Sequence, residues 1–314
     1  GYHMGSKWIS EVFSQVPGCA LYFEYEHCLR ALHNHTCCAS ADLTLQYLSR
    51  GCACSGLDAQ LGRSKFEYGC RGCSMHPLKH GCRASGVQFG ALGPSYESHI
   101  RRLQELSPTV RIVLLVRSNT VKHSLSYLRV SCGGTNHKKP DQQGVVSSTN
   151  WTSTPGRGHW ISVPPPVLLL SVRSRYKGQQ AVVALAHRLA GGDPAYTLVY
   201  EAAQRDFIGE IANLLRAIGA SPPPTDWGAA VKAIVKSGAD NLSSAISNYA
   251  QLEHAFRPTP CLHRMLTAAG PVEFGLDECS DDLLHGLPQS RNTLSAWNID
   301  EHARRGLNDS QCRG

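Results

Sequence analysis

The sequence predicts an α/β fold: an open parallel sheet flanked by helices. Three observations carry that expectation. Strand-like and helix-like patterns alternate at Tyr96–Val116, at Arg111–Arg129 and again at Tyr196–Gly219. Ile112–Val116 is a short, wholly apolar, β-rich run, as a strand covered on both faces should be. Pro108 stands just past the expected helix over 96–106 and before that strand, so helix and strand are separate, successive elements.

The chain has 314 residues, long enough for one large domain or two. Its formal charge is +7, from 31 basic and 24 acidic residues, with no long Lys/Arg run. That balance suits an anionic small ligand and does not mark nucleic acid as a partner. No apolar run reaches the roughly 18 residues of a membrane span.

In chain order, the first expected helix covers about 7–15, with Trp8, Ile9, Val12 and Phe13 on its apolar face. Gly5 and Ser6 stand at its N-terminus and Lys7 just inside. A glycine admits close approach of a phosphate, a serine adds a hydroxyl, and the helix end adds free N–H groups. The other reading of His3-Met-Gly-Ser6 is a vector scar. Pro17-Gly18 is a turn, and Ala20–Phe23 a strand. Glu24, Glu26 and His27 follow it. A carboxylate there is a candidate general base, against the plainer reading of a polar strand end.

Residues 28–94 are rich in Cys and Gly and read as an elaborated loop with short helices. Eight of the chain's 13 cysteines fall between Cys28 and Cys82. Disulfides in a secretory lumen, zinc held by Cys70, Cys73, His76, His80 and Cys82, and free thiols are the open alternatives. Sequons stand at Asn34, Asn150, Asn241 and Asn308. A helix is expected over 96–106, striped by Tyr96, Ile100, Leu103 and Leu106. The strand to Val116 follows, then Arg117, then Ser118 and Asn119 as turn and N-cap residues. Val121, Leu125 and Leu128 share a face of the next helix. An Arg beside a helix N-terminus at a strand's carboxyl end suits a phosphate. The plainer reading is a solvated Arg in a connecting turn.

Residues 131–165 read as a surface loop ending in Pro164-Pro-Pro166. A helix is expected over 178–189, stopped by Gly191-Gly192, and a strand over Tyr196–Glu201. Asp206 caps a helix striped by Phe207, Ile211, Leu214, Leu215 and Ile218, which Gly219 ends. Asp240 or Asn241 opens a helix bearing Leu242, Ile246, Tyr249 and Leu252. The pattern fades beyond about Leu266, and residues 267–314 read as a polar C-terminal tail.

Three separated stretches, with a fourth unit between them, resemble the sulfotransferases that use 3′-phosphoadenosine-5′-phosphosulfate, most closely the carbohydrate type. Gly5-Ser-Lys-Trp-Ile9 is similar to that family's P-x-S-G-S/T-T-W-L loop. Arg117-Ser-Asn-Thr-Val…Ser126 resembles its R-x-N-x-L/V-x-x-x-x-S element. Lys236-Ser-Gly-Ala-Asp-Asn-Leu…Ile246-Ser-Asn-Tyr-Ala-Gln-Leu252 resembles its K-x-x-x-D-L…I-x-N-Y-x-E-L close. Tyr200-Glu201 followed by Phe207–Gly219 is similar to its Y-E-D-L…L-L-x-F-L-G unit. The resemblance covers residues 1–266 and implies a P-loop-like sulfotransferase fold, with the Cys-rich stretch as an elaboration within it.

It also implies roles. Gly5, Ser6, Lys7 and Trp8 would hold the 5′-phosphosulfate, with Lys7 also supporting catalysis. Arg117 and Ser126 would hold the 3′-phosphate, and Lys236 would reach the nucleotide. Glu24 would be the base, with Glu26 in reserve. The reaction would move a sulfuryl group to a hydroxyl, most fittingly on a carbohydrate, in the Golgi lumen or outside the cell, with the cytoplasm as the alternative. No metal is expected. The departures are His3, where the family has Arg or Lys, and the near absence of the strand before the loop. The expectation is therefore a truncated first strand, and a catalytically impaired binding protein is the alternative function.

Overall fold

The computed structural model describes Ile9, Phe13, Val16 and residues 19–22, 84–87, 94–131, 162–222 and 241–284. These form a mixed α/β structure in two compact units. The first comprises Gly1–Val116, Ala181–Leu198 and Asp206–Ile234; the second comprises Arg117–Gln180, Val199–Arg205 and Val235–Gly314.

In the first unit, strands β1 (Cys19–Tyr22) and β2 (Ala84–Val87) pair in parallel, Cys19 opposite Ala84 and Tyr22 opposite Val87. β1 meets the expectation. β2 does not: it lies in the stretch read as loop and short helices. Ala-Ser-Gly-Val has little β propensity of its own, so its partner decides its state. A parallel partner needs a long crossover, and the Cys-rich stretch lies within that connection. Ile9 and Phe13 are helical, and both are buried, as the amphipathic pattern requires.

Helix α1 (Pro94–Leu106) buries Ile100 and Leu103. Ile100 joins Leu185 and Leu189 in a small cluster flanked by Ile112. Strand β3 (Val113–Val116) pairs with β4 (Tyr196–Val199), and Ala195 N–H donates to the Ile112 carbonyl just outside, at 2.8 Å. On β4, the Tyr196 hydroxyl donates to Glu210 at 2.8 Å. Burial, and then the Glu210 carboxylate, pushes the Tyr196 hydroxyl up to about 12. The fold thus favours the neutral phenol. This contribution is complete below the ordinary tyrosine value of 10 and declines as pH rises from there towards about 12. Tyr196→Phe should flatten the fall in stability across that window, read as the thermal midpoint at several pH values.

Helix α5 (Phe207–Ala217) has the bounds its local signals ask for. The Asp206 carboxylate accepts from Gly209 N–H at 2.9 Å. A Cβ on Gly209 would collide with that carboxylate, so the small residue is part of the cap. Phe207, Ile211, Leu214 and Leu215 are buried. Gly219 takes φ 80°, a left-handed turn that stops the helix. Asp206→Ala should cost about 1 kcal/mol, measurable as a lower urea midpoint.

The second unit is mostly helical. Helix α2 (Thr120–Ser131) buries Val121, Leu125 and Leu128, the expected face. Helix α3 (Pro165–Ala190) begins 13 residues before the expected start at 178 and runs from the second unit into the first. Prolines fit a helix's first turn, where no N–H is needed; Val167 and Leu168 N–H both donate to the Pro164 carbonyl. Its early turns bury Leu168, Val172 and Tyr176. Tyr200 and Glu201 open a short helix, α4 (Tyr200–Arg205), where the sequence predicts the end of a strand.

Asn241 does cap, but it caps only the 3₁₀ turn Leu242–Ser244. The expected helix resumes as α6 (Tyr249–Phe256), with Leu242, Ile246 and Leu252 buried in one core. Helix α7 (Pro260–Thr267) packs on α2 and α6 and buries Leu262, Met265 and Leu266. The chain beyond Leu266 is not a loose tail as far as Leu284: Phe274, Cys279 and Leu283, the last on α8 (Ser280–Leu284), complete the same core. Only the step from Cys279 to Leu283 has helical spacing, too short a pattern to mark an element, so sequence pattern alone misses them. Cys261 and Cys279 are disulfide-bonded, with Cα atoms 5.6 Å apart. No helix among the described residues is long and apolar enough to cross a membrane.

Candidate functional site: the Arg117 turn and its buried carboxylate

The segment 117–123 turns from the end of β3 into α2, and every residue of it is buried. Such a turn concentrates polar groups: a guanidinium, two side chains and the helix's first N–H groups. Asn119 caps the helix from within. Its Oδ1 accepts from Lys122 N–H at 2.9 Å and its carbonyl from His123 N–H at 3.0 Å. Its Nδ2 donates to the Met265 carbonyl at 2.9 Å.

The remaining charge is matched by Glu201, only 2% exposed, from the first turn of α4. Its Oε2 accepts from Ser118 N–H at 2.9 Å and from the Ser118 hydroxyl at 3.0 Å. Its Oε1 accepts from Asn119 N–H at 3.3 Å and stands 3.6 Å from Arg117 Nε, an ion pair. Arg117 is 7% exposed, so it is not a solvated turn residue. Its guanidinium lies 4.9 Å from the centre of the Tyr200 ring, and the Arg117 backbone N–H donates to Gln179 Oε1 at 3.3 Å. A cation and the positive end of a helix make a strong anion site. Here a carboxylate of the chain itself takes hydrogen bonds from two successive backbone N–H groups.

β4 ends at Val199 and the chain turns into α4 at Tyr200, which puts Glu201 in the first turn of that helix and not in the strand. The sequence places Glu201 in the Tyr200-Glu201 pair but gives it no role. The one signal in the sequence is that an Arg after an apolar run needs a counter-charge; it does not say which carboxylate supplies it.

A segment of the second unit closes on the turn. Phe274 N–H donates to Ser118 Oγ at 3.2 Å, Lys122 Nζ donates to the Gly270 carbonyl at 2.8 Å, and the Thr120 hydroxyl lies 3.3 Å from Met265 Sδ. Ser126 is half-buried in the middle of α2, about 9 Å along the axis from the helix start at 1.5 Å per residue. Arg117 and Ser126 thus share one turn-helix segment of the second unit.

The other candidate residues lie outside the described residues: Gly5, Ser6, Lys7, Trp8, Glu24, Glu26 and Lys236. So do the cysteines from Cys28 to Cys82, the zinc alternative among them, and the sequons at Asn34, Asn150 and Asn308. Among the described residues no group of three or more His, Cys, Asp or Glu could hold a metal ion. Family models, curated proteins and solved structures were compared with the chain, and none matches it.

Proposed function

We propose that this chain is a sulfotransferase that moves a sulfuryl group from 3′-phosphoadenosine-5′-phosphosulfate to a hydroxyl of a carbohydrate. The observation that carries the reading is the Arg117 turn, where a guanidinium and a helix N-terminus meet at the end of a strand and already hold one anion, the chain's own Glu201 carboxylate. The ordered motifs at Gly5–Ile9, Arg117–Ser126, Tyr200–Gly219 and Lys236–Leu252 supply the family expectation.

In this reading Arg117 and Ser126 bind the 3′-phosphate, and Lys236 reaches the nucleotide. Gly5, Ser6, Lys7 and Trp8 hold the phosphosulfate. Glu24 takes the acceptor hydroxyl's proton as its oxygen attacks sulfur, with Glu26 in reserve. The bond from sulfur to the bridging oxygen breaks in line, and 3′-phosphoadenosine-5′-phosphate leaves. Lys7 offsets the charge that develops on that phosphate. Glu201 acts through Arg117, holding the guanidinium and the turn in place. A secretory lumen, the Golgi or the cell exterior suits the Cys261–Cys279 bond, with the cytoplasm the alternative.

The test is transfer of radiolabelled sulfate from the donor to a panel of glycans. Label on at least one glycan supports the reading. Nucleotide binding with no transfer across the panel favours a second reading, a nucleotide- or glycan-binding relative without turnover. His3, in place of the family's cation beside the loop, is the observation behind that reading.

A further inference from the structure

We propose that the disulfide-closed loop from Cys261 to Cys279 is a redox-sensitive brace for the Arg117 turn, so that the anion site is fully ordered only when this bond is oxidised. The regulatory meaning rests on the proposed function; the mechanical claim does not.

The loop touches the turn at several points. Asn119 Nδ2 donates to the Met265 carbonyl at 2.9 Å, Lys122 Nζ to the Gly270 carbonyl at 2.8 Å, and Phe274 N–H to Ser118 Oγ at 3.2 Å. The Thr120 hydroxyl contacts Met265 Sδ at 3.3 Å, and the same sulfur lies 3.9 Å from Cys279 Sγ. Met265 therefore connects the disulfide to the cap residue of α2. Ser118 is shared: its hydroxyl donates to Glu201 and accepts from the loop. Displacing Phe274 would disturb the same residue that orients the buried carboxylate.

The other ties on the loop between α7 and α8 are mainly polar. Glu273 pairs with Arg205 and Glu278 with Arg264, whose guanidinium lies 5.1 Å from the centre of the Phe274 ring. Gln180 Nε2 donates to the Leu276 carbonyl at 3.3 Å and to Asp277 at 3.1 Å. Residues 268–278 contain no helix or strand, Gly270 takes φ 81°, and Phe274 is their buried apolar anchor. The backbone in such a stretch orders at an entropic cost that a cross-link reduces in the unfolded chain. Cys279 is 2% exposed, whereas Cys261 is half-buried, so we take Cys261 as the sulfur that a reductant meets first. A dithiol reductant would attack Cys261 Sγ as a thiolate. The sulfur–sulfur bond breaks, Cys279 leaves as a thiolate and takes a proton. The reductant's second thiol, as a thiolate, then attacks the reductant's own sulfur in the mixed disulfide; Cys261 leaves as a thiolate, and the reductant departs as a disulfide, having given two electrons to the protein's two cysteines.

The test compares the oxidised wild-type chain with the Cys261→Ser/Cys279→Ala double variant, which leaves the other cysteines alone. Amide hydrogen exchange is read at residues 118–122, with α5 as the internal reference. The proposal expects exchange in 118–122 to quicken at least about tenfold while α5 changes little. It also expects 3′-phosphoadenosine-5′-phosphate to bind roughly fivefold or more weakly. Unchanged exchange at 118–122 overturns the brace, and so does an equal rise throughout the chain, which would make the bond a general staple. Should the variant not fold, wild-type protein taken stepwise through dithiol reduction gives the same comparison, with alkylation mapping to show when Cys261 and Cys279 open. If oxidised wild type binds no nucleotide, the proposed function fails, and the exchange measurement still decides the brace.

Discussion

Replacing Glu201 with alanine should lower the unfolding free energy by about 3–5 kcal/mol, the cost of stripping one partner from a buried ion pair. The loss has two parts. Arg117, 7% exposed, would keep its charge without the carboxylate 3.6 Å from its Nε. The N–H groups of Ser118 and Asn119 would lose their acceptor inside the protein. A double variant separates the parts. Replacing a buried ion pair by apolar residues is often nearly neutral, so if charge alone mattered, Arg117→Met/Glu201→Leu would recover most of the stability. The two orphaned N–H groups argue that it will not. Urea titrations of wild type, both single variants and the double close the cycle. Full recovery in the double would show that Glu201 serves the Arg and not the turn.

Leu262→Ala should cost about 2–5 kcal/mol, as for other fully buried leucines. Leu262 is wholly inaccessible and lies on α7, which packs on both α2 and α6. Its neighbours belong to helices and to the segment fixed by the 261–279 bond, so the cavity has little freedom to collapse. The expected readout is a lower thermal midpoint with the cooperative transition retained. A change below about 1 kcal/mol would indicate a loosely packed second unit.

How much of this was legible in the sequence depends on the range of the forces involved. Helix α5 could be read almost to the residue, because Asp206, the Phe207–Leu215 stripe and Gly219 all act within a few positions of the helix. The strand-turn-helix at 113–131 was legible for the same reason, down to Asn119 as cap, but the strand is not covered on both faces as its apolar run suggested: Val113 is exposed while Leu114 and Val116 are buried. The start of α3 was hidden by its prolines, which break a helix interior but open a first turn. The burial of Phe274, Cys279 and Leu283 depends on α7 and on a cross-link, so no local period announces it. Glu201 was visible as a residue but not as a partner. Its hydrogen bond to Ser118 spans 83 positions, and only the folded chain pairs them. Of the candidate site, the Arg117–Ser126 segment is placed, while the phosphosulfate loop and the carboxylates at Glu24 and Glu26 fall outside the described residues.

The most direct test of the central claim is calorimetric titration with 3′-phosphoadenosine-5′-phosphate, adenosine monophosphate serving as control. Charge-assisted contacts are worth about 1.5–3 kcal/mol each, so the 3′-phosphate should strengthen binding by roughly ten- to a few hundred-fold. Ser126→Ala, a change on a half-buried helix position that should leave folding intact, should remove part of that advantage. Equal affinity for the two nucleotides, or no binding by the folded chain, would contradict a 3′-phosphate site at the Arg117 turn.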